Sequence, residues 1–575
     1  MQAKLDPMTI EATTIQATTI QATTIQASGP AAANPAWSPR WQRVTGDTLP
    51  AMRPDLPALG SRFRLPSPWG VVAVLTLLAC MLRLFDIGTE SLWKNELFSV
   101  YWIRNPVEFL LTKGLVTETN PPLYFMLLKA WTGMFGTSEF AVRSLSALAS
   151  TGCIPLMYLL GAELGGVAVG LIAATLLAIW PMQLFFAHEA RVYAFLPLFV
   201  LVTMIGLCRF LRTPDARGFQ PDRGFANSLD IYAIGAIALL YSHAIAALVL
   251  AALIVTALLY FIEIQASRSQ VVAFLFANVI IGLLASPAIM GLAMQAQSPN
   301  LEWMPPMGVA SLLAALHFLM VAPLVRFDLT GTVRVVLSWA ELGVALATLG
   351  VLSLVARSSI RNRLGYALLV LFPLMFIMLV CGISVFRPIL IPRVTVWLAV
   401  PVVLVAAFAF TSERTRKARP LVIGLVACCI IMGLFDTTLS TARHNPDWRD
   451  FMAEAGAVLP PDALMIVGPH TGPLGVLYYG DAAKAEKVRL WRPPPGHHET
   501  NAEWLERSVA NAEPMSTAQL FDAVRSGRPV ALVLDEDDAP LEQDLHAQLP
   551  EFAAASRRSY PALTVFTWPG IAKAP

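Results

Sequence analysis

Ser91-Leu92-Trp93-Lys94-Asn95-Glu96-Leu97-Phe98-Ser99 follows the first long apolar run of this chain, and His188-Glu189-Ala190-Arg191-Val192-Tyr193 stands between two later ones. Each stretch sets ionisable groups at the edge of an apolar segment. A charge is costly inside hydrocarbon, roughly 2.5–3.5 kcal/mol at the centre of a spanning helix on insertion scales, so charged residues close to such segments are functional candidates. An anchor has no need of carboxylates there, whereas an enzyme acting on a lipid-linked substrate does.

Composition agrees with a membrane setting. Of 575 residues, 56% are hydrophobic and 14% charged, where soluble domains carry about a quarter charged. Many segments lack Asp, Glu, Lys and Arg over about 17–30 residues, and about 20 apolar residues span a bilayer. The expected fold class is a polytopic α-helical membrane protein with about 11 transmembrane helices. The expected spans cover about 67–85, 142–162, 167–187, 192–211, 229–242, 244–262, 270–292, 335–356, 364–385, 394–411 and 420–438. The short apolar helix that begins at Asn120-Pro121-Pro122-Leu123-Tyr124 carries Lys129 and is expected to lie in the interface. The net charge of +2 gives no reason to expect a nucleic-acid partner.

Arginine placement orients the bundle. Arg40, Arg43, Arg53, Arg62 and Arg64 put the N-terminal tail in the cytoplasm, and alternation then places Arg209–Arg223, Arg268, Arg357–Arg363 and Arg414–Arg419 on the same side, as the positive-inside rule requires. The same alternation collects Glu96, Glu189, Arg191, His243 and Arg387 on the outer side. Residues 303–325 are long enough to cross and would invert the later loops, so 308–325 is expected to be re-entrant or interfacial, as half-inserted segments that line a cavity are allowed to be.

Three further regions complete the layout. Residues 1–66 form a tail in which Thr-Thr-Ile-Gln-Ala repeats three times over 13–27; its low complexity predicts disorder. Residues 67–440 form the membrane domain. After about 440 charge and proline rise, and Ala463–Val467, Val530–Leu534 and Thr564–Thr567 read as short buried strands, with a helix over Ser516–Ser526. A small α/β domain over 441–575, outside the cytoplasm, is expected. No cleavable signal peptide is read at the start of the chain. The six cysteines lie in or beside apolar runs with no metal-ligand spacing.

The order of motifs points to a family. One span is followed by Leu-Trp-x-x-Glu-x-x-Ser at 92–99 and then by Asn120-Pro121-Pro122-Leu123-Tyr124. Ser138-Glu139-Phe140-Ala141-Val142-Arg143-Ser144-Leu145-Ser146-Ala147-Leu148, Trp180-Pro181 and His188-Glu189-Ala190-Arg191-Val192-Tyr193-Ala194 come next. This resembles the membrane glycosyltransferases of the C superfamily, of the protein O-mannosyltransferase and aminoarabinose transferase type, over roughly 67–440. The resemblance implies a site at the outer face. The family's first outer loop carries an Asp-Glu pair that deprotonates the acceptor or orients donor phosphate and metal. Here that pair is Asn95-Glu96. Asn has no charge to offer a divalent ion and cannot act as a base, which leaves Glu96 as the candidate base; a solvated loop Glu is the alternative. A divalent metal such as Mg or Mn is implied by the family and placed in doubt by Asn95.

Arg191 matches the family's second outer motif, which faces the donor phosphate. Its planar, permanently charged fork suits phosphate oxygens, and Glu189 either binds a metal or holds Arg191; an Arg–Glu pair capping helix ends is the alternative. Tyr193 closes this motif. His243, in the turn Tyr241-Ser242-His243 between two spans, is placed for a hydrogen bond to phosphate or sugar, or for a structural one. Arg387 and Arg393, within Phe386-Arg387-Pro388-Ile389-Leu390-Ile391-Pro392-Arg393, clamp a lipid phosphate or anchor to headgroups. Glu341, inside a span but near its outer end, is a further pocket candidate, with His317 a weaker one, and Lys113 and Glu118 flank the proline pair. His497-His498-Glu499 has a ligand-like composition in a proline-rich loop.

The expected activity is transfer of a sugar from a polyprenyl-phosphate donor to an acceptor hydroxyl at the outer face of the cell inner membrane, with inversion. The partners are that donor, an acceptor lipid, glycan or protein, and membrane lipids. No nucleotide cofactor is expected, since no phosphate-binding glycine loop or G-x-G-x-x-G fingerprint followed by an acidic partner is evident. Two alternatives remain: a transporter or flippase for lipid-linked sugars, which would show repeats and midplane sites, and a homologue that binds such sugars without transferring them.

Overall fold

The computed structural model describes residues 67–118, 120–212, 223–295, 304, 306–321, 332–435, 445–459, 463–468, 472–480, 488–491, 513–535 and 539–568. The tail with its repeats, and His497-His498-Glu499, lie outside the described residues. The remainder forms a helical bundle capped by a mixed sheet.

Among the described residues, six helices are long and apolar enough to cross a membrane: Glu139–Gly165, Val192–Arg212, Ala246–Ile264, Val336–Ser359, Arg363–Ser384 and Pro392–Thr411. Two bent pairs are also long enough, Val167–Ala178 with Pro181–Ala187 and Arg268–Leu284 with Ser286–Gln295, turning by 54° and 64°. Shorter apolar helices cover Pro68–Leu84, Asn227–Leu240, Val309–Met320 and Arg419–Leu434. The protein is a polytopic membrane protein. Each apolar run read from the sequence falls on one of these helices or pairs. Residues 309–320 form a helix of 12 residues, about 18 Å at 1.5 Å per residue, short of a hydrocarbon core of about 30 Å.

The bends have local causes. Pro181 lacks the N–H that would continue the Val167–Ala178 helix, so carbonyls at the end of that helix lack the i+4 donors of a continuing helix. Arg83, fully buried, takes their place: Nη1 donates to the Ala178 carbonyl at 2.9 Å and Nη2 to that of Leu177 at 3.3 Å. The Trp180 indole N–H donates to the Leu319 carbonyl at 3.1 Å, tying the break to the Val309–Met320 helix. Close helix packing elsewhere rests on small residues. A Cβ on Gly206 would run into the Tyr232 backbone, and one on Gly235 would meet Thr203, so Phe195–Arg212 and Arg223–Leu240 lie in direct contact.

The C-terminal region is a six-stranded sheet: β1 Leu464–Val467, β2 Val488–Trp491, β3 Glu513–Met515, β4 Val530–Asp535, β5 Ser556–Tyr560 and β6 Leu563–Trp568, in spatial order β3-β2-β1-β4-β6-β5. The first four are parallel, and β6 runs antiparallel to β4 and β5. β4 is buried at every position, the mark of a central strand covered on both faces. The helix Thr517–Arg525 starts at Ser516 with a reciprocal capping box to Gln519. The helices Trp448–Val458 and Gly472–Tyr479 pack together, and the second of them also lies against the helix Lys94–Trp102 of the first outer loop. The sheet region therefore sits on the same side of the bundle as that loop.

Candidate active site

Glu96 stands in the first turn of the Lys94–Trp102 helix, where the helix dipole favours a carboxylate. It is fully buried, and four donors meet its two oxygens. Oε1 accepts from Arg143 Nε and the Ala190 N–H, both at 2.8 Å; Oε2 accepts from Arg143 Nη2 at 2.7 Å and the Trp93 N–H at 3.2 Å. A carboxylate offers about four lone-pair sites, so all are in use. In this arrangement the carboxylate expected to be the base is fully engaged, and it ties the two outer motifs together. Arg143 is saturated as well. Besides Glu96, its Nη1 donates to the carbonyls of Ile87 and Glu90 at 3.0 and 2.8 Å, and its Nη2 to that of Ser91 at 3.0 Å.

Asn95 meets the second motif through its backbone. Its carbonyl accepts from Arg191 Nη1 at 3.3 Å, and the same nitrogen donates to Ser99 Oγ at 3.1 Å. Arg191 is 7% exposed, its own carbonyl accepts from Ser146 Oγ at 3.1 Å, and its Nε is buried with no partner among the described residues. Glu189 and Arg191 do not form the side-chain ion pair weighed above; the hydrogen bond between them joins the Arg191 N–H to the Glu189 carbonyl at 2.8 Å. Glu189 Oε2 and the Tyr124 hydroxyl are likewise buried without partners. Arg191, Glu96 and Glu189 lie near enough to act on Tyr124, as does the Ser146 side chain. Burying a polar group without a hydrogen bond costs about 1–3 kcal/mol, so these atoms are candidates for satisfaction by a polar ligand.

A second set of residues closes on the first. Tyr193 OH accepts from Arg393 Nη1 at 3.3 Å, and the Tyr193 ring lies 5.8 Å from the His243 imidazole. His243 Nδ1 accepts the Ile245 N–H at 3.1 Å, which leaves the proton of the neutral ring on Nε2. Burial, with Arg191 and Arg393 nearby, pushes the His243 pKa down to about 3, so the ring is neutral at physiological pH. Burial and the Glu96 carboxylate push Glu189 up to about 8, against the pull of Arg393, Arg191 and Arg143. The Leu123 N–H donates to the Tyr241 carbonyl at 3.0 Å, docking the Asn-Pro-Pro turn beside the His243 turn.

The other candidates sit elsewhere. Arg387 is half-buried in the turn after Phe372–Ser384, its N–H donating to the Ile383 carbonyl at 2.9 Å. Glu341 pairs with His317 Nε2 at 3.1 Å, both buried, and so joins the Val309–Met320 helix to its neighbour. Glu118 is buried and accepts from the Asn120 side chain at 3.1 Å; Lys113 is exposed. Sequence reasoning quoted Arg143 and Tyr124 within motifs without assigning them, and it passed over Arg83. An Arg at the start or end of an apolar run was the available signal for both arginines.

Among the described residues no three His, Cys, Asp or Glu side chains come together as a ligand set for a metal. Glu189 is one carboxylate facing Arg191 and Arg393, and Glu96 is spent on Arg143. These two carboxylates alone do not make a ligand set among the described residues.

No protein-family model and no curated protein matches the chain. Solved structures do. ArnT from Cupriavidus metallidurans bound to undecaprenyl phosphate aligns with 13% identity over 87% of this chain and 98% of that one, with a TM-score of 0.51. The Archaeoglobus fulgidus oligosaccharyltransferase in its apo form aligns with 14% identity over 83% and 71% of the two chains at a TM-score of 0.46. The S. cerevisiae protein O-mannosyltransferase Pmt1-Pmt2 complex bound to the sugar donor aligns with 17% identity over 41% and 34% at 0.33. At this identity the ArnT likeness shows the fold: this chain is folded like that structure over most of its length.

Proposed function

We propose that this protein transfers a sugar from a polyprenyl-phosphate donor to an acceptor hydroxyl at the outer face of the cell inner membrane. The observation that carries the reading is the buried cluster of Arg191, Tyr124 and Glu189, with unpartnered Nε, hydroxyl and Oε2 atoms, beside Arg393, Tyr193 and the neutral His243. Two guanidiniums and a neutral imidazole N–H suit a phosphate. The undecaprenyl phosphate bound by the ArnT structure supports a lipid-phosphate ligand.

In this reading the acceptor oxygen gives its proton to Glu189 Oε2 and attacks the anomeric carbon. The carbon–oxygen bond to phosphate breaks, its electron pair stays on the phosphate, and Arg191 and Arg393 stabilise that charge as it develops. A single displacement inverts the anomeric centre. Glu96 holds the Arg191 loop through the Ala190 N–H and takes no part in proton transfer. Asn95 serves through its carbonyl, so replacing a carboxylate there leaves the Arg191 contact intact.

Topology follows from parity. The sheet region meets the loop after the first helix, so an odd number of crossings separates the start of that helix from the sheet. That favours eleven spans with Val309–Met320 within one leaflet; the arginine placement then supplies the cytoplasmic N-terminus and an outer C-terminal domain. The domain division 1–66, 67–440 and 441–575 belongs to the same reading.

The test compares lipids, surface polysaccharides and envelope glycoproteins by mass spectrometry in cells with and without the gene. Loss of a pentose- or hexose-sized increment from one acceptor is expected. No such difference, together with failure of the purified protein to bind undecaprenyl phosphate, would overturn the proposal.

A further inference from the structure

The loop between the first helix and the Lys94–Trp102 helix is gripped from two directions. From the bundle, Arg143 takes the carbonyls of Ile87, Glu90 and Ser91. From the C-terminal domain, Arg449 takes those in between: Nη1 donates to the Thr89 carbonyl at 2.9 Å and Nη2 to that of Gly88 at 3.1 Å. Each carbonyl from residue 87 to 91 therefore accepts from an arginine. Other contacts join the same grip. Asn445 Nδ2 donates to the Ser91 carbonyl at 3.0 Å, the Arg449 N–H to Ser91 Oγ at 3.2 Å, and Ser91 Oγ to Asp447 Oδ1 at 3.2 Å. Arg449 Nε reaches Glu139 Oε1 at 3.0 Å, an oxygen that also accepts from the Tyr479 hydroxyl at 3.1 Å. The Tyr479 oxygen in turn accepts the Leu92 N–H at 2.7 Å.

These residues are rooted in the sheet domain. Asp447 caps the Trp448–Val458 helix by accepting the Asp450 N–H, and its own N–H donates to the Pro561 carbonyl in the β5–β6 turn at 3.1 Å. Trp448, Phe451 and Met452 are buried in the core under the sheet. On the far side of the loop the chain of contacts runs from Arg143 to Glu96, from Glu96 to the Ala190 N–H, and so to the residue before Arg191.

We propose that Arg449 is a positioning residue through which the C-terminal domain sets the geometry of the phosphate site: it fixes the 87–92 loop against Arg143, and thereby Glu96 and the Arg191 loop. This rests on the glycosyl-transfer reading of the site. The domain is thus part of the catalytic assembly, and a carbonyl grip distributed over five residues makes the effect specific to the guanidinium fork.

The test uses the full-length protein in nanodiscs with three variants. Arg449→Ala removes the outer grip. Arg449→Lys keeps a charge opposite Glu139 and loses the fork. Arg525→Ala breaks a distant surface pair with Glu551 in the same domain and serves as control. A displacement of about 1 Å at reacting groups costs about 10²-fold in rate, so Arg449→Ala is expected to lower kcat by about that factor. Its KM for the acceptor should stay near wild type, Arg449→Lys should fall between, and Arg525→Ala should match wild type. Hydrogen exchange should quicken at 87–97 and 188–193 in Arg449→Ala while β4 stays protected. Wild-type kcat and unchanged exchange at 87–97 would overturn the proposal. If the wild-type protein transfers no sugar, the exchange result still decides the grip, and the functional reading fails by itself.

Discussion

Arg143 Nε and Nη2 hold the two carboxylate oxygens of Glu96 at 2.8 and 2.7 Å, and both side chains are buried. The pair joins residues 47 positions apart and fastens the first outer loop to the bundle. Removing one partner of a buried ion pair costs about 3–5 kcal/mol, because the other charge is left uncompensated. Glu96→Gln should therefore lower the unfolding midpoint in detergent as well as transfer. A residue acting only as a base would lose turnover with no loss of stability. A Glu96→Gln protein with a wild-type midpoint and no activity would restore Glu96 as the base.

Arg191→Lys tests the phosphate fork. Lys keeps the charge and loses the planar pair of donors, at a cost of about 1–3 kcal/mol for hydrogen bonds to a charged group. The loss should appear mainly as weaker donor use, because the phosphate is present in ground and transition states alike. Normal donor affinity and turnover in this variant would reduce Arg191 to its contacts with Asn95 and Ser99.

The apolar runs were legible because membrane burial is a matter of length and composition, which any window of sequence reports. The buried strands Leu464–Val467, Val530–Asp535 and Leu563–Trp568 were legible for a similar reason. The strands missed are those with no apolar run: Ser556–Tyr560 is an edge strand whose Ser-Arg-Arg-Ser-Tyr sequence is mostly exposed, and charge on an edge is how sheets avoid further pairing. The engagement of Glu96 was not legible for a deeper reason. Whether a carboxylate is a base or a tie depends on who occupies its lone pairs, and here the donors come from residues 93, 143 and 190. Motif order named Arg191, Tyr193 and His243, whereas the burial of Arg191 Nε and Glu189 Oε2 without partners exists only in the fold.

Glu189 gives the reaction its expected pH dependence. Its carboxyl is pushed up to about 8 by burial and by Glu96, so it is protonated below that pH and ionised above it. A base must be ionised, so kcat should rise as pH increases toward about 8. The sign for stability is opposite. Between the usual carboxylate range and about 8 the folded protein holds a proton that the unfolded chain has lost, so stability falls as pH rises through that window. Glu189→Gln should abolish transfer at every pH, retain undecaprenyl phosphate binding, and flatten the stability profile across the window. Substantial turnover in Glu189→Gln, or a kcat that is flat between pH 6 and 9 in the wild type, would remove Glu189 as the proton acceptor.

Sidedness is tested at Ser526, an exposed residue at the end of the Thr517–Arg525 helix. The described cysteines all lie in the apolar helices and are free, so they give a low background with an impermeant thiol reagent. Ser526→Cys should label in intact spheroplasts to the same extent as after lysis. The reason is the grip of Asn445 and Arg449 on the loop that follows the first span: a domain bound to that loop shares its side of the membrane. Labelling only after lysis would put the loop, the domain and the whole phosphate cluster in the cytoplasm, reverse the orientation read from the arginines, and require a donor presented on the inner leaflet.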